Sequence, residues 1–262
     1  MRKANFLEYK FGDYDTETLY SSGANEAVAW MENLNPSRIK QLQDWGVRIG
    51  PSLAAIQQGV CPLDPATKVR LDNQLMQAMH YQPDFLCLDH LRFDGYWEGI
   101  NNKVEMPDIH PPCRYCQDSN RSESIAKLAR WIKVRLPAEV ELGYFAVPFY
   151  PANLQDLGQD HQLLARIFDF TNPMLYHRML GKPVEYIHDF TQYLFDLGDR
   201  PVIPAVATKD MPDNLEDKID EGMLHQEYEQ ATLSPSAGVC WFSWDGAVEK
   251  QKTEIIAKIW SK

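Results

Sequence analysis

The sequence predicts an α/β fold in which strands and helices alternate along the whole chain. Short apolar runs recur across the 262 residues without strict polar alternation, which is typical of parallel strands covered by helices. Segments with helical periodicity separate these runs, and strand–helix repetition indicates a parallel sheet. About eight such units fit a (β/α)8, or TIM, barrel. Because no linker, low-complexity tract or repeat divides the sequence, we predict one domain over residues 1–262.

The strands are predicted from runs that are rich in Val, Ile, Phe and Leu. The predicted strands are Ala4–Tyr9, Ala27–Met31, Val47–Ala54, Phe85–Phe93, Glu141–Pro148, Phe168–Tyr176, Val202–Ala207 and Gly238–Trp244. The first two have the weakest pattern, and Ala27–Met31 could equally begin a helix that runs toward Leu34. In a barrel, the C-terminal ends of all these strands would meet at the rim where active sites lie.

Several helix starts are marked by capping residues. Asn35-Pro36 and Asp64-Pro65 each predict a start, because an Asx side chain accepts from the first free amides and proline loses no hydrogen bond there. Asn120 with Glu123 predicts a capping box for another helix. The later predicted helices are Glu185–Leu197, which ends at Gly198, Asp213–Gln230 and Ala247–Trp260.

The charge balance and the apolar pattern exclude some partners. With 26 Lys and Arg against 37 Asp and Glu, the net charge of −11 repels a phosphate backbone, so we expect no nucleic-acid partner. No apolar run approaches the ~20 residues that span a bilayer, so we expect no membrane partner. Glu8 interrupts any signal-peptide core, and five sparse cysteines are not a disulfide framework. We therefore expect a soluble, cytoplasmic protein, and the sequence leaves its oligomeric state open.

Charged residues crowd the end of the predicted fourth strand and the start of its loop. They are Asp89, His90, Arg92, Asp94 and Glu98. Charges at the end of a buried strand are costly unless they are paired or used, and a barrel strand would deliver them to the catalytic rim. An arginine beside a carboxylate favours the ionised form, as a nucleophile or electrostatic stabiliser requires. The alternative is a closed ion pair between Asp89 and Arg92 that only holds the rim.

The same stretch resembles a known family. Leu88-Asp89-His90-Leu91-Arg92-Phe93 is similar to the Asp-Tyr-Val/Ile-Arg-Phe-Pro signature of glycosyl-hydrolase (β/α)8 barrels related to the α-amylase superfamily. Gly158-Gln159-Asp160, followed by the segment 168–177, resembles a second motif of that family at fitting distance. Gly238–Trp244 is similar to its final strand. His90 and Asp94 depart from the family pattern, which has Tyr and Pro there, and the Pro-Ser after Tyr176 is missing.

The resemblance implies a glycoside hydrolase with Asp89 as the fourth-strand carboxylate. Asp94 is the alternative nucleophile, because an α-amylase-like pattern places it two residues after the arginine. Two carboxyl groups must flank the scissile bond, ~5 Å apart in retaining enzymes and ~6.5–9.5 Å apart in inverting ones. For the acid we favour Asp245, which could instead cap a helix; further candidates at strand ends are Asp210, Glu8 and Glu32. Asp169 begins its strand and is excluded.

Sugar binding is assigned to polar and aromatic residues at the same rim. Arg92 and His90 lie beside the carboxylates, and Tyr176 and His177 end the sixth strand. A rim histidine can equally be a hydrogen-bonded part of the scaffold. The candidate stacking platforms are Trp97, Trp241 and Trp244, any of which could instead belong to the core.

The segment Asp94–Asn120 is too long for an ordinary loop of a compact domain, and such loops are more often functional. Its Cys113 and Cys116 with His110 provide three ligands, whereas a structural zinc site needs four. Asp118, Cys61 or Cys87 would complete it only if the fold brings one of them near. We therefore expect no metal and no cofactor. The cysteine pair is expected to pin the loop over the mouth as a lid, by zinc or by a disulfide.

The sequence as a whole predicts a glycoside hydrolase that acts on O-glycosidic bonds of an oligo- or polysaccharide through two carboxylates. The alternative is a catalytically inactive barrel of glycosidase type that binds a carbohydrate or a protein partner. No nucleotide-binding, serine-hydrolase or zinc-hydrolase motif occurs.

Overall fold

The computed structural model of the chain is a barrel of eight parallel strands with helices between them. It describes residues 1–7, 16–95, 110–150, 154, 156–211 and 216–261. Among these residues, no helix combines the length and the apolar character that crossing a membrane requires.

All eight predicted strands are present. They are β1 (Arg2–Leu7), β2 (Glu26–Trp30), β3 (Arg48–Ala54), β4 (Phe85–Asp89), β5 (Glu141–Ala146), β6 (Phe170–Pro173), β7 (Ala205–Ala207) and β8 (Gly238–Phe242). The helices are α1 (Thr16–Ser21), α2 (Pro36–Asp44), α3 (Pro65–Met79), α4 (Arg121–Lys133), α5 (His161–Leu164), α6 (Tyr186–Gly198), α7 (Glu221–Thr232), α8 (Trp244–Glu249) and α9 (Thr253–Trp260). The predicted (β/α)8 class is therefore confirmed.

The strands are hydrogen-bonded in the order β6-β5-β4-β3-β2-β1-β8-β7, so the first strand lies between the second and the last. Phe6 of β1 is in register with Phe242 of β8. Between β6 and β7 the ring is closed by two isolated parallel bridges, Thr171 to Val202 and Met174 to Ala205. All C-terminal strand ends consequently meet at one rim, called the mouth below.

The predicted helix caps are confirmed. Asn35 Oδ1 accepts from the amide of Ser37 at 3.1 Å, and Asp64 Oδ1 accepts from that of Ala66 at 2.9 Å. Asn120 Oδ1 accepts from the Glu123 amide at 2.9 Å and so begins α4. These local bonds satisfy amide groups that the helix itself leaves free.

Several predicted boundaries were wrong. The fourth strand ends at Asp89 instead of Phe93, because His90 adopts a left-handed conformation with φ of +49°. The helix predicted over Asp213–Gln230 begins only at Glu221, after Asp220 accepts from the Met223 amide at 2.8 Å. The helix predicted over Ala247–Trp260 is divided into α8 and α9 at Gln251, whose φ is +57°.

The end of the barrel opposite the mouth is closed by an ion network. Glu26 accepts from Arg2 Nε and from Arg48 Nη1, each at 2.7 Å, and Arg48 Nη2 donates to Glu141 at 2.6 Å. The guanidinium carbon of Arg2 lies 4.2 Å from the ring centroid of Phe170. Paired charges and aromatic rings thus fill this end of the barrel.

Two glycines make room for the rings of this layer. A Cβ on Gly50 would lie 1.9 Å from the ring of Phe85, and one on Gly143 would lie 2.2 Å from that of Phe170. The two rings contact each other edge to face, with centroids 5.7 Å apart. These contacts show that Phe85 points into the barrel. Because side chains alternate along a strand, every second residue of β4 counted from Phe85 points inward as well.

Candidate active site

The strand β4 delivers Asp89 to the mouth. Because side chains alternate along a strand, the inward direction of Phe85 makes Cys87 and Asp89 inward residues as well. Asp89 is half-buried at the C-terminal end, and its Oδ1 accepts from the backbone amide of His90 at 2.6 Å. The strand ends here, because His90 adopts a left-handed conformation with φ of +49°. Asp89 therefore lies at the mouth of the barrel, and its catalytic role stays a prediction.

Aromatic side chains from other strands contact one another at the mouth. We call Phe6, Trp30, Tyr176 and Phe242 the aromatic rim. The ring of Phe6 lies 5.7 Å from that of Trp30 and 4.9 Å from that of Phe242, and Tyr176 lies 5.1 Å from Phe242. The exposed His90 stacks on Trp30 with centroids 6.4 Å apart. Trp30 and Phe242 are only partly buried, so they can offer ring faces to a ligand.

Arg92 places a buried positive charge beside the carboxylates. Only 9% of its surface is exposed. Burial lowers the pKa of Arg92, while the nearby charges of Asp89 and Asp94 oppose that effect. A guanidinium remains protonated even so. Arg92 therefore provides a fixed positive charge at the end of β4, in the position that the sequence predicts.

Asp94 is held by its neighbours. Its Oδ2 accepts from the amide of Gly59 at 2.6 Å, in the loop between β3 and α3, and its carbonyl oxygen accepts from the amide of His110 at 3.0 Å. Asp94 thus joins two loops of the mouth. This placement favours a structural contribution over the alternative nucleophile of the α-amylase-like pattern.

The motif Gly158-Gln159-Asp160 supports the same segment. Gln159 Oε1 accepts from the Val147 amide at 2.6 Å, and its Nε2 donates to the carbonyl of Leu91 at 3.4 Å. The Phe93 amide donates to the carbonyl of Leu157 at 2.8 Å. These bonds fix the backbone that carries Arg92 and Asp94 against the ends of β5.

The residues after β8 are more deeply buried than the sequence suggests. Ser243, not Asp245, caps α8 by accepting from the Gly246 amide at 3.2 Å. Trp244 and Asp245, the first two helical residues, are 1% and 7% exposed. Trp241 is also fully buried, so neither tryptophan presents a face for sugar stacking. Asp245 lies directly after β8, at the mouth end of the barrel.

His177 lies in the scaffold beside the mouth. Its Nε2 is 3.1 Å from Oε1 of Glu227 in α7, and its Nδ1 is 3.0 Å from the carbonyl oxygen of Lys182. Burial works against a charged imidazole, but the contacts with Glu227 and Lys182 outweigh it and raise the pKa of His177. Burial raises the pKa of Glu227, and His177 partly offsets this. With both side chains buried against each other, the placement favours the scaffold alternative.

Two further acid candidates are poorly placed. Burial opposes the ionised form of Asp210, but hydrogen bonds from Arg178 and from the Lys218 amide outweigh it and lower the pKa of Asp210. A general acid needs the opposite shift. Glu32 is exposed and lines a depression with His80 and other residues around α3. Asp169 accepts from Lys133 and from the Leu142 amide at the opposite end of the barrel, as expected.

The predicted residues Glu8, Trp97 and Glu98 lie outside the described residues. The sequence missed Trp30 and Phe242 as rim residues, although each is the last residue of a strand. Their positions near the ends of predicted strands could have identified them as rim residues.

The fold also brings Cys61 to His110, Cys113 and Cys116, so that one ligand atom of each lies within 4.8 Å of the others. All five cysteines are free thiols in this structure.

No protein-family model matches the sequence, and no curated protein sequence matches it either. Solved structures match over nearly the whole chain. A glycoside hydrolase family 18 N-acetylglucosaminidase from Paenibacillus barengoltzii has a TM-score of 0.66 and 11% identity, covering 98% of this chain and 99% of its own. A chitinase from Bacteroides thetaiotaomicron has a TM-score of 0.65 and 12% identity, covering 99% and 96%.

A class V chitinase mutant from Cycas revoluta, in complex with (GlcNAc)3, has a TM-score of 0.64 and 10% identity, covering 99% of this chain and 100% of its own. The chain therefore has a (β/α)8 barrel fold. That fold is similar to the folds of these glycoside hydrolase family 18 structures. These structures give no support to the α-amylase relationship that the sequence resemblance implied.

Proposed function

We propose that the protein is a glycoside hydrolase that cleaves O-glycosidic bonds of an oligo- or polysaccharide at the mouth of the barrel. The observation that carries the proposal is the position of Asp89. It is an inward-facing, half-buried carboxylate at the end of β4, and the partly exposed Trp30 and Phe242 are the last residues of β2 and β8. A sugar ring stacked on such a face would bring its glycosidic bond toward a carboxylate.

The substrate class is inferred from the fold relatives. The matched structures include an N-acetylglucosaminidase and chitinases, one of them in complex with (GlcNAc)3. We therefore propose a polymer or oligomer that contains N-acetylglucosamine. Its acetamide group and its apolar sugar face suit a mouth with a buried arginine, a carboxylate and aromatic rings.

Asp89 can serve hydrolysis in two ways. In the two-carboxylate scheme it attacks the anomeric carbon while a second carboxyl group, for which we retain Asp245, protonates the leaving oxygen. Family 18 enzymes instead use assistance from the substrate, in which the acetamide oxygen takes the place of the protein nucleophile. A carboxylate such as Asp89 would then accept from the acetamide N–H and increase the electron density on that oxygen.

The test is a hydrolysis assay with Asp89→Asn, Asp94→Asn and Asp245→Asn beside the wild type. Asp169→Asn is the matched control, because it removes a hydrogen-bonded carboxylate at the other end of the barrel. Loss of a group that moves a proton or forms a bond costs roughly 10²–10⁴-fold in rate. We expect such a loss for Asp89→Asn and a far smaller one for Asp169→Asn.

The substrates of the assay separate the two schemes. N-acetylglucosamine oligomers and their de-N-acetylated counterparts have the same linkage and differ in the acetamide. Hydrolysis of the acetylated oligomers alone supports assistance by the substrate, whereas equal hydrolysis of both supports the two-carboxylate scheme. Full activity of a folded Asp89→Asn variant would refute the proposed site.

One observation favours the alternative of a binding protein. Asp94 is engaged by the Gly59 amide and Asp245 is buried, so the mouth offers fewer accessible carboxylates than the two-carboxylate scheme assumes. In that case oligosaccharides would bind with an affinity that depends on Trp30, and no product would form. Calorimetric titration with N-acetylglucosamine oligomers, run beside the hydrolysis assay, distinguishes binding without turnover from hydrolysis.

A further inference from the structure

Four potential metal ligands from two separate segments meet beside the mouth. Cys61 comes from the loop between β3 and α3, and His110, Cys113 and Cys116 come from the segment that leads into α4. One ligand atom of each residue lies within 4.8 Å of the other three. We call these residues the cysteine–histidine cluster. In the sequence, 48 positions separate its first two members, so only folding assembles it.

The spacing of the ligand atoms fits a tetrahedral ion. Zinc–sulfur bonds of about 2.3 Å place two sulfurs of a tetrahedral site about 3.8 Å apart. The Sγ atoms of Cys113 and Cys116 are 3.6 Å apart, which is close to that edge. A set of three thiolates and one imidazole is a standard zinc coordination shell, and its soft sulfur ligands select against magnesium and calcium.

The cluster is buried, which is unfavourable for polar groups without partners. Cys61, His110 and Cys116 are each 6% exposed. Among the residues that the structure describes, Nε2 of His110 has no hydrogen-bond partner. A buried polar nitrogen without a partner calls for an explanation, and coordination of a cation through Nε2 would provide one.

The surroundings hold the ligands in place. The Cys113 amide lies 3.5 Å from Sγ of Cys116 and donates to it, and the turn is closed by the Cys116 amide, which donates to the Cys113 carbonyl at 3.0 Å. Thr67 Oγ1 donates to the carbonyl of Cys61 at 3.0 Å, and Arg121 Nη2 donates to that of His110 at 2.6 Å. Such outer contacts orient metal ligands and are part of a metal site.

We propose that Cys61, His110, Cys113 and Cys116 bind one Zn²⁺ ion that fastens the β3–α3 loop to the segment before α4. This reverses the expectation from the sequence, in which only three ligands were local. Four protein ligands close the coordination shell and leave no position for a substrate, so the ion is structural. The hydrogen bond from Gly59 to Asp94 joins the same two loops, and the ion therefore holds the segment that follows Asp89. The proposal does not depend on the hydrolase function.

The first test measures zinc content by mass spectrometry of the folded protein, prepared under reducing conditions and dialysed after incubation with Zn²⁺. The variants are Cys61→Ala and Cys240→Ala, which each remove one buried cysteine; Cys240 lies in β8, outside the cluster. We expect about one zinc per chain in the wild type and in Cys240→Ala, and a loss of most of it in Cys61→Ala. Equal zinc contents in the two variants would overturn the proposal.

A second pair of variants guards against a misfolded protein. His110→Cys keeps four ligands and should retain zinc, whereas His110→Ala should lose it. With Co²⁺ as the probe, the wild type should show the intense visible absorption of a tetrahedral thiolate site. Absence of that absorption, with Co²⁺ bound elsewhere or not at all, would contradict the assigned geometry.

The wild type alone provides a third test. Removal of metal by a chelator should lower the melting temperature, and Zn²⁺ should restore it while Mg²⁺ should not. A loop pinned by a disulfide gives the opposite result: Cys113 and Cys116 resist alkylation as purified, and the reduced protein takes up no zinc. That combination would overturn the proposal.

Discussion

The buried pair of His177 and Glu227 makes a quantitative prediction for Glu227→Gln. The two side chains are 4% and 1% exposed, and Nε2 lies 3.1 Å from Oε1. The substitution keeps the shape of the side chain, so no cavity forms and only the charge is lost. A buried hydrogen bond to a charged group contributes about 1.5–3 kcal/mol. We expect a loss of about 2 kcal/mol, which lowers Tm by roughly 4–8 °C in a domain near this size.

The same pair predicts how stability changes with pH. Because the pKa of His177 is raised, the folded state binds that proton more tightly than the unfolded chain does. This stabilisation is complete below the ordinary histidine pKa of ~6.5 and is lost as the pH rises through the raised value. The raised pKa of the buried Glu227 acts in the same direction. Arg178 and Lys252, which lie near the pair, favour the ionised carboxylate and reduce the effect of burial.

Thermal unfolding followed by circular dichroism between about pH 6 and pH 9 measures both effects. The matched control is Glu221→Gln, because Glu221 faces His225 on the exposed side of the same helix, with 4.0 Å between Nε2 and Oε1. We expect the control to change stability by no more than about 1 kcal/mol. A Glu227→Gln variant as stable as the control, or with the pH dependence of the wild type, would refute the reasoning.

Three further predictions concern acid stability, packing and ligand binding. Hydrogen bonds from Arg178 and the Lys218 amide lower the pKa of Asp210, so its stabilisation is present above the ordinary Asp value and is lost as the pH falls through the lowered one. Acid titration of Asp210→Asn should therefore show a smaller loss of stability below about pH 4. Gly143→Ala places a Cβ 2.2 Å from the ring of Phe170 and should cost about 1–3 kcal/mol in urea unfolding. Trp30→Ala should weaken binding of N-acetylglucosamine oligomers at least tenfold, or about 1.4 kcal/mol, by calorimetric titration.

Each of these predictions has a contrasting variant. Asp44→Asn removes an exposed carboxylate of a surface pair and should leave the acid transition unchanged. Gly222→Ala in α7 meets only the Asp220 side chain at 3.4 Å and should be neutral or stabilising. Trp131→Ala removes a tryptophan of α4 and should not alter sugar affinity. If a test variant behaves as its contrasting variant is expected to, or the contrasting variant as the test variant is expected to, the corresponding interpretation is contradicted.

The strands and helix starts could be predicted because they depend on local chemistry. Apolar runs must be buried wherever they lie, and Asn35, Asp64 and Asn120 bond to amides two or three residues away. Exact strand ends could not be predicted in the same way. The fourth strand ends four residues early because His90 takes a left-handed conformation, which an apolar continuation through Leu91 and Phe93 conceals.

The candidate site was predictable only where one strand supplies it. Asp89 ends β4 and Arg92 comes three residues later, so the sequence of this one strand and its continuation predicts the positions of both. Contacts between elements that are distant in the sequence set the rest. His177 meets Glu227 from α7, Trp244 is buried, and Cys61 completes a cluster whose other members lie some 50 positions away. Such distances depend on how the elements pack, and residue type and spacing contain no direct record of them.

The junction between β6 and β7 gives the ring a preferred place to open. Neighbouring strands elsewhere share continuous ladders, whereas this junction has two isolated bridges, Thr171 to Val202 and Met174 to Ala205. Local openings break few hydrogen bonds there, and they separate β7 from β6 while β8 stays paired with β1. Amide hydrogens at this junction should therefore exchange with solvent faster than those of β3 and β4, and a widening of the barrel for a bulky polymer would begin on this side.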